Sequence, residues 1–247
     1  MRLQEKVIVI TGGAGGIGRA FLAALIEHNT LVSLDRNPQN VAALQQAFPT
    51  VLCRQADVTQ PAQVAAALRR VGEEHGRIDV LINNAGIGRK ISFAELPATE
   101  LAQTLHEELA TNYTAPLLLT KQALPLLQRS TNPLLVFVSS GLAHMPIADF
   151  FNYCASKAAL HTTALSLRHQ LQKLNIGVVE ILPPTVDTAF NKDVQAPKMD
   201  PAVFVRRALK QVEAGHQTIN IGQSRALAWF SRALPGLAFS LLNRAQH

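Results

Sequence analysis

Cysteine is scarce: the 247 residues include two, Cys53 and Cys154. Two cysteines cannot build a disulfide framework, and neither stands at a metal-ligand spacing. Both are expected as small core residues in a reducing compartment, and no metal site is expected. No uninterrupted apolar run approaches the ~20 residues a membrane-spanning helix requires. Met1-Arg2-Leu3-Gln4-Glu5-Lys6 leads straight into an apolar stretch without the form of an export signal, so the expected location is cytoplasmic. Acidic residues are outnumbered, 17 Asp and Glu against 23 Lys and Arg. The positive charges do not gather beyond the pairs Arg69-Arg70 and Arg206-Arg207, so no nucleic-acid partner is expected. Repeats and low-complexity tracts are missing, while 48% of residues are hydrophobic. That excludes disorder and solenoids and leaves material for one large core.

What is present alternates. Val7-Ile8-Val9-Ile10 is a β-branched run of the kind buried on both faces of a sheet, and Ile17 to Ile26 then repeats apolar residues at helical spacing. The alternation continues through Leu31 to Leu34, a helix near 41–48, Val51 to Cys53, a helix over 61–74 and Ile78 to Ile82. Then come a long helix over 99–127, the strand Leu134 to Val138, a helix over 152–174, the strand Ile176 to Leu182 and a last strand over 216–222. Strands and helices taking turns predict an α/β, doubly wound domain over 1–222, because right-handed crossovers lay helices over both faces of a parallel sheet. Residues 223–247 are expected as a helical extension of the same domain.

Where the first strand meets its helix, the chain reads Thr11-Gly12-Gly13-Ala14-Gly15-Gly16-Ile17-Gly18. A turn this tight needs residues without a β-carbon, and their bare backbone lets N–H groups approach a pyrophosphate. Gly12, Gly16, Ile17 and Gly18 are the candidates. Asp35 stands 17 positions past Gly18, where a carboxylate can accept from both adenosine-ribose hydroxyls and repel a 2′-phosphate, favouring NAD. Read locally, it is also a suitable turn aspartate before Asn37-Pro38. Arg36 beside it could grip a phosphate, which leaves NADP open. Asp57-Val58 is placed for the adenine edge, and Asn83-Asn84-Ala85-Gly86 for the adenosine ribose and for bracing the sheet.

Tyr153-Cys154-Ala155-Ser156-Lys157 puts a phenol and an ammonium on one helix face, about 5–6 Å apart at the β-carbons. A phenol titrates near about 10 in water, and an adjacent cation would favour its phenolate. With two tyrosines in the whole chain, chance adjacency is a weak explanation. Ser140 closes the preceding strand and can donate to a carbonyl oxygen, with Ser139 as the structural hydroxyl. Asn112 in the long helix implies either a backbone kink or a tolerated polar residue.

Together, Gly12-x-x-x-Gly16-x-Gly18, Asp57, Asn83-Asn84-Ala85-Gly86, Asn112, Ser140 and Tyr153-x-x-x-Lys157 resemble the compact one-domain branch of the short-chain dehydrogenase/reductases over residues 5–190. The resemblance implies a seven-stranded Rossmann sheet and a catalytic tetrad of Asn112, Ser140, Tyr153 and Lys157. It further implies hydride exchange between NAD, or NADP, and a secondary alcohol or ketone. Tyr153 would act as acid or base, Lys157 would also hold the nicotinamide ribose, and Asn112 would keep a water. Dimerisation through the helices holding Asn112 and Lys157, or a homotetramer, is implied as well. Pro183-Pro184-Thr185-Val186-Asp187-Thr188 departs from the family's Pro-Gly by substituting a stiff residue. Pro183, Val186 and Thr188 remain matched to the nicotinamide side. This segment and the tail are similar to a bacterial subgroup named after the lipoteichoic-acid D-alanylation operon.

Leu142, His144, Met145 and Phe150, with Ser140 and Tyr153, are the expected substrate contacts and make an apolar pocket for a small-molecule carbonyl. The tail from Arg225 to Arg244 mixes aromatic, leucine and arginine residues, broken by Pro235-Gly236. It is read as packing on the body, with peripheral membrane contact as the rival. A dinucleotide sensor or scaffold without turnover is the alternative function, and the intact tetrad weighs against it.

Overall fold

The computed structural model describes residues 2–244. Met1 and residues 245–247, the outer limits of the expected domain and extension, lie outside the described residues. The strands are β1 (Val7–Thr11), β2 (Thr30–Asp35), β3 (Leu52–Gln55), β4 (Val80–Asn83), β5 (Leu134–Val138), β6 (Gly177–Leu182) and β7 (Thr218–Asn220). Among the described residues they form one sheet in the order β3-β2-β1-β4-β5-β6-β7, with every neighbouring pair parallel.

Parallel neighbours require crossovers, supplied by α1 (Gly16–Leu25), α2 (Pro38–Ala47), α3 (Pro61–His75), α4 (Ala98–Leu109), α5 (Ala115–Leu127), α6 (Phe151–Leu171) and α7 (Pro201–Glu213). Two further helices, α8 (Gln223–Ala233) and α9 (Pro235–Arg244), follow the last strand. Period-two alternation splits β1 between two apolar clusters. Ile8 and Ile10 join Phe21, Leu22, Phe204 and Val205 of α1 and α7, while Val7 and Val9 join Val64, Leu68, Leu119 and Leu160 of α3, α5 and α6. Each aliphatic side chain so buried contributes about 1.5–3 kcal/mol.

Local chemistry sets the helix ends. Asn37 caps α2 by accepting from the N–H groups of Gln39 and Asn40, with Pro38 at the first helical position. Asp200 does the same for Val203, ahead of Pro201. Sequence order reverses around β1, which carries β2 on one side and β4 on the other. The crevice outside the carboxyl ends of β1 and β4 is therefore the ligand-binding position of such sheets.

The helix expected over 99–127 is interrupted. Residues Ala110–Thr114 form a π-helical turn in which the N–H of Ala115 reaches back to the carbonyl of Ala110. The last strand is shorter than expected, three residues instead of 216–222. Cys154 is buried, whereas Cys53 is half-buried near the open edge of β3.

The extension packs on the body. Ser224 lies against Gly141, and the Asn243 amide donates to the carbonyl of Pro146 while its oxygen accepts from the N–H of Ala148. Trp229, Phe230, Leu234, Leu237, Phe239 and Leu241 stay exposed. No helix among the described residues is long and apolar enough to cross a membrane.

Candidate active site

Four strand ends converge on the crevice. After β1, Gly12 takes φ +66°, a conformation that favours glycine. A β-carbon on Gly18 would collide with the backbone of Gly12 and Gly13, and one on Gly16 would collide with the side chain of Thr188. The turn therefore keeps its backbone bare, and α1 starts at Gly16, with Gly15 at its N-cap and no side-chain cap. Its first N–H groups are left to an outside acceptor. That cradle fits the pyrophosphate of a dinucleotide.

Asp35 ends β2 and turns one carboxylate oxygen to the N–H of Ala14, 3.2 Å away, and the other to the N–H of Asn37 at 3.4 Å. It stands beside the glycine turn as expected, and Arg36 is exposed next to it. Asp57 spends one oxygen on Thr59, accepting from its N–H at 2.8 Å and its hydroxyl at 2.7 Å. Val58 and Ala85 border one small cavity with Thr11 and Asn83. Asn84 braces the sheet: its amide donates to the carbonyls of Thr11 and Gly12, while the Thr11 hydroxyl accepts from the N–H groups of Asn84 and Ala85.

Tyr153 and Lys157 lie one turn apart on α6, both buried, at 9% and 3% exposure. The Lys157 ammonium is 5.7 Å from the centre of the Tyr153 ring and donates to the carbonyl of Val138, at the end of β5, at 3.0 Å. Ser140, two residues on, is within hydrogen-bonding reach of the phenol. Its hydroxyl oxygen also accepts from the N–H of Leu142 at 3.1 Å.

Asn112 sits at the centre of the π turn, fully buried. Its amide donates to the carbonyl of Ile87 and its oxygen accepts from the same residue's N–H, at 2.7 and 2.9 Å. A third bond, 3.0 Å, goes to Ser156 on α6. A β-carbon on Gly86 would lie 3.2 Å from the Asn112 oxygen and 3.4 Å from the Lys157 ammonium. The backbone after β4 is thus clasped between two of the tetrad side chains.

Burial dominates the electrostatics of the pair. Burial pushes the Tyr153 phenol above its ordinary range, with the hydrogen bond from Ser140 pulling the other way. Burial also brings the Lys157 ammonium down to about 8, opposed by the negative charge of Glu180. Burial thus favours the neutral phenol over the phenolate.

On the substrate side, Phe150 stacks on Tyr153 at 4.6 Å between ring centres, and Phe190 approaches the same ring at 5.5 Å. Met145 is buried and Leu142 half-buried in the loop after β5. His144, expected against substrate, is committed elsewhere. One ring nitrogen pairs with the Asn220 oxygen at 3.0 Å, and the ring packs edge-on against His161. Pro183 accepts from the N–H of Gly141, and buried Val186 bridges to Met199. Sequence reading missed the closeness of Gly88 to Tyr153 and the buried Glu108. The Glu108 carboxylate accepts from the N–H of Arg89 and the amide of Asn152. These are contacts over long sequence separations that no periodicity marks.

The model of the short chain dehydrogenase family matches residues 6–199. The chain belongs to that family. It is accordingly an oxidoreductase dependent on a nicotinamide dinucleotide, on the α/β Rossmann fold the sequence implied. Over 193 residues, 78% of this chain and 76% of the relative, it is 36% identical to the uncharacterized oxidoreductase DltE of Bacillus subtilis. It is 28% identical to mouse 15-hydroxyprostaglandin dehydrogenase [NAD(+)] over 204 residues, 79% of this chain and 72% of that protein. A short chain dehydrogenase from Burkholderia cenocepacia, crystallised with NADP, superposes with a TM-score of 0.86 at 26% identity. That match covers 98% of this chain and 99% of the other. The family match stops at Met199, so α7, β7, α8 and α9 lie outside it.

Proposed function

We propose that this short-chain dehydrogenase interconverts a secondary alcohol and a ketone carrying an apolar group, with Tyr153 as the proton donor and acceptor. The observation that carries the proposal is the buried pair of Tyr153 and Lys157 on α6, beside Ser140 and against Gly86 and Gly88 of the loop after β4. The dinucleotide, when bound, supplies or accepts the hydride. Gly12, Gly16, Ile17 and Gly18 would hold its pyrophosphate and Asp35 its adenosine ribose. Asp57, Val58, Asn84, Ala85 and Gly86 would flank the adenosine, and Pro183, Val186 and Thr188 the nicotinamide side.

Ser140 donates to the substrate oxygen and fixes it against the phenol. Tyr153 gives its proton to that oxygen in reduction and takes one back in oxidation. Lys157, charged, lowers the cost of the phenolate left behind, and Asn112 keeps the loop at Ile87 in register with α6. Phe150 and Phe190 cover the Tyr153 ring with apolar surface, which supports a lipophilic or small neutral substrate. The Asp35 carboxylate at the glycine turn supports NAD over NADP.

A homodimer through α4, α5 and α6 is supported by the exposed Leu109, Leu118 and Leu165 on those helices. The bonds of Asn243 support counting the extension as part of the same domain. Free cysteines support a reducing, cytoplasmic setting.

The test is Tyr153→Phe, assayed with a panel of ketones of rising chain length. The expected result is a loss of about 100-fold or more in kcat/KM with dinucleotide affinity preserved. A near-normal rate would reject Tyr153 as the acid.

A further inference from the structure

A second concavity lies away from the crevice, at the open edge of the sheet. There β7 is the last strand, and α8 crosses beside it. Between β7, α8 and the end of α7 lies a cavity of about 710 Å³. Arg225, Ala228, Trp229 and Arg232 reach it together because spacings of three, four and seven residues share one helix face. His216, Thr218 and Asn220 supply the opposite wall. None of the residues of the glycine turn or the tetrad lines it.

Its charge is unbalanced. Two guanidinium groups border the cavity, and among the described residues that line it there is no carboxylate. Glu180, the acid in the layer behind, is fully buried and already accepts from His161 and from Ser139. Arg168, on the inner side of β7, is bonded to the carbonyl of Gln217 and the hydroxyl of Thr218, which fixes the polar wall in place.

We propose that this cavity binds a phosphate group. Two planar guanidinium forks match a tetrahedral oxyanion. The imidazole of His216, the hydroxyl of Thr218 and the indole N–H of Trp229 bring further donors, more than the two oxygens of a carboxylate can use. The phosphate comes either free, as inorganic phosphate or a soluble ester, or as a lipid headgroup. Exposed Phe230, packed edge-on against Trp229, and exposed Leu234 and Leu237 further along the extension give acyl chains apolar surface to meet.

The experiment is calorimetric titration of inorganic phosphate into the full chain saturated with dinucleotide, so that the glycine cradle is already filled. One saturable site is expected. It should weaken about tenfold or more in the double variant Arg225→Gln/Arg232→Gln, with dinucleotide binding and circular dichroism unchanged. Each single substitution, on an exposed helix position, is expected to weaken it about threefold, which keeps the test open if the double variant does not fold. Absence of a saturable site, or the same affinity in the variants, overturns the proposal. A parallel sedimentation with phosphatidylglycerol and phosphatidylcholine vesicles identifies the source. Pelleting with the anionic vesicles alone, competed by inorganic phosphate and lost in the variants, assigns a lipid headgroup. Phosphate binding without pelleting assigns a soluble phosphate.

Discussion

Gly88 lies directly against the Tyr153 ring: a β-carbon there would stand 2.8 Å from the ring's Cδ2 and 2.5 Å from Cζ of Phe150. The loop after β4 therefore sets the position of the phenol as much as α6 does. Gly88→Ala should push the two rings aside at a cost of roughly 1–3 kcal/mol in stability. Displacement of a reacting group by ~1 Å costs about 100-fold, so kcat/KM should fall by that order while the fold persists. Unchanged kinetics in a well-folded Gly88→Ala protein would show that the ring is free to shift without consequence.

The Lys157 ammonium loses its proton near pH 8, whereas the buried phenol stays protonated well above that. Reduction uses a neutral Tyr153 and a charged Lys157. Its kcat/KM should therefore be level below pH 8 and decline as pH rises past it. In Lys157→Arg the guanidinium stays charged, so this limb should move beyond the measured range. A rate profile flat from about pH 6 to 10 in the native enzyme would remove Lys157 from the proton chemistry.

Asp35 faces the glycine turn, accepting from the N–H of Ala14, and under the proposed function its carboxylate would repel a 2′-phosphate. The enzyme is expected to prefer NADH to NADPH by about tenfold or more in kcat/KM, equivalent to about 1.4 kcal/mol. Asp35→Asn should narrow the ratio, with exposed Arg36 free to meet the added phosphate. Steady-state kinetics with both cofactors decides it, and equal rates in the native enzyme would contradict the reading.

His161 bonds Glu180 at 2.7 Å, and this bond raises the imidazole above its ordinary value while burial opposes it. Because the folded value is the higher one, the stabilisation is complete below the unfolded value of about 6.5 and fades as pH rises through the folded one. His161→Gln should cost about 1.5–3 kcal/mol at pH 6 and less at pH 9. Denaturant titrations at the two pH values measure the difference, and equal losses would mean that the charge of His161 adds nothing.

The layout of the sheet was legible from the first strand onward because continuous apolar runs such as Val7 to Ile10 and Leu134 to Val138 are buried on both faces and admit few other placements. The glycine turn and the Tyr153-Lys157 pair were legible for a related reason. Each is held within eight residues, and its geometry follows from local spacing. The π turn at Asn112 was visible as an anomaly but not as a form, since its cause is the distant backbone of Ile87. The partners of His144 were hidden for the same reason: Asn220 and His161 come from β7 and α6. Side chains that look alike in a loop differ by what the rest of the fold brings to them.

Asn243, near the end of the described chain, grips the loop that runs from Ser140 toward Tyr153, yet it belongs to a stretch beyond the family match. A change in the last few dozen residues can therefore reach the backbone between Ser140 and Tyr153 through these two bonds without altering any side chain of the family-matched segment.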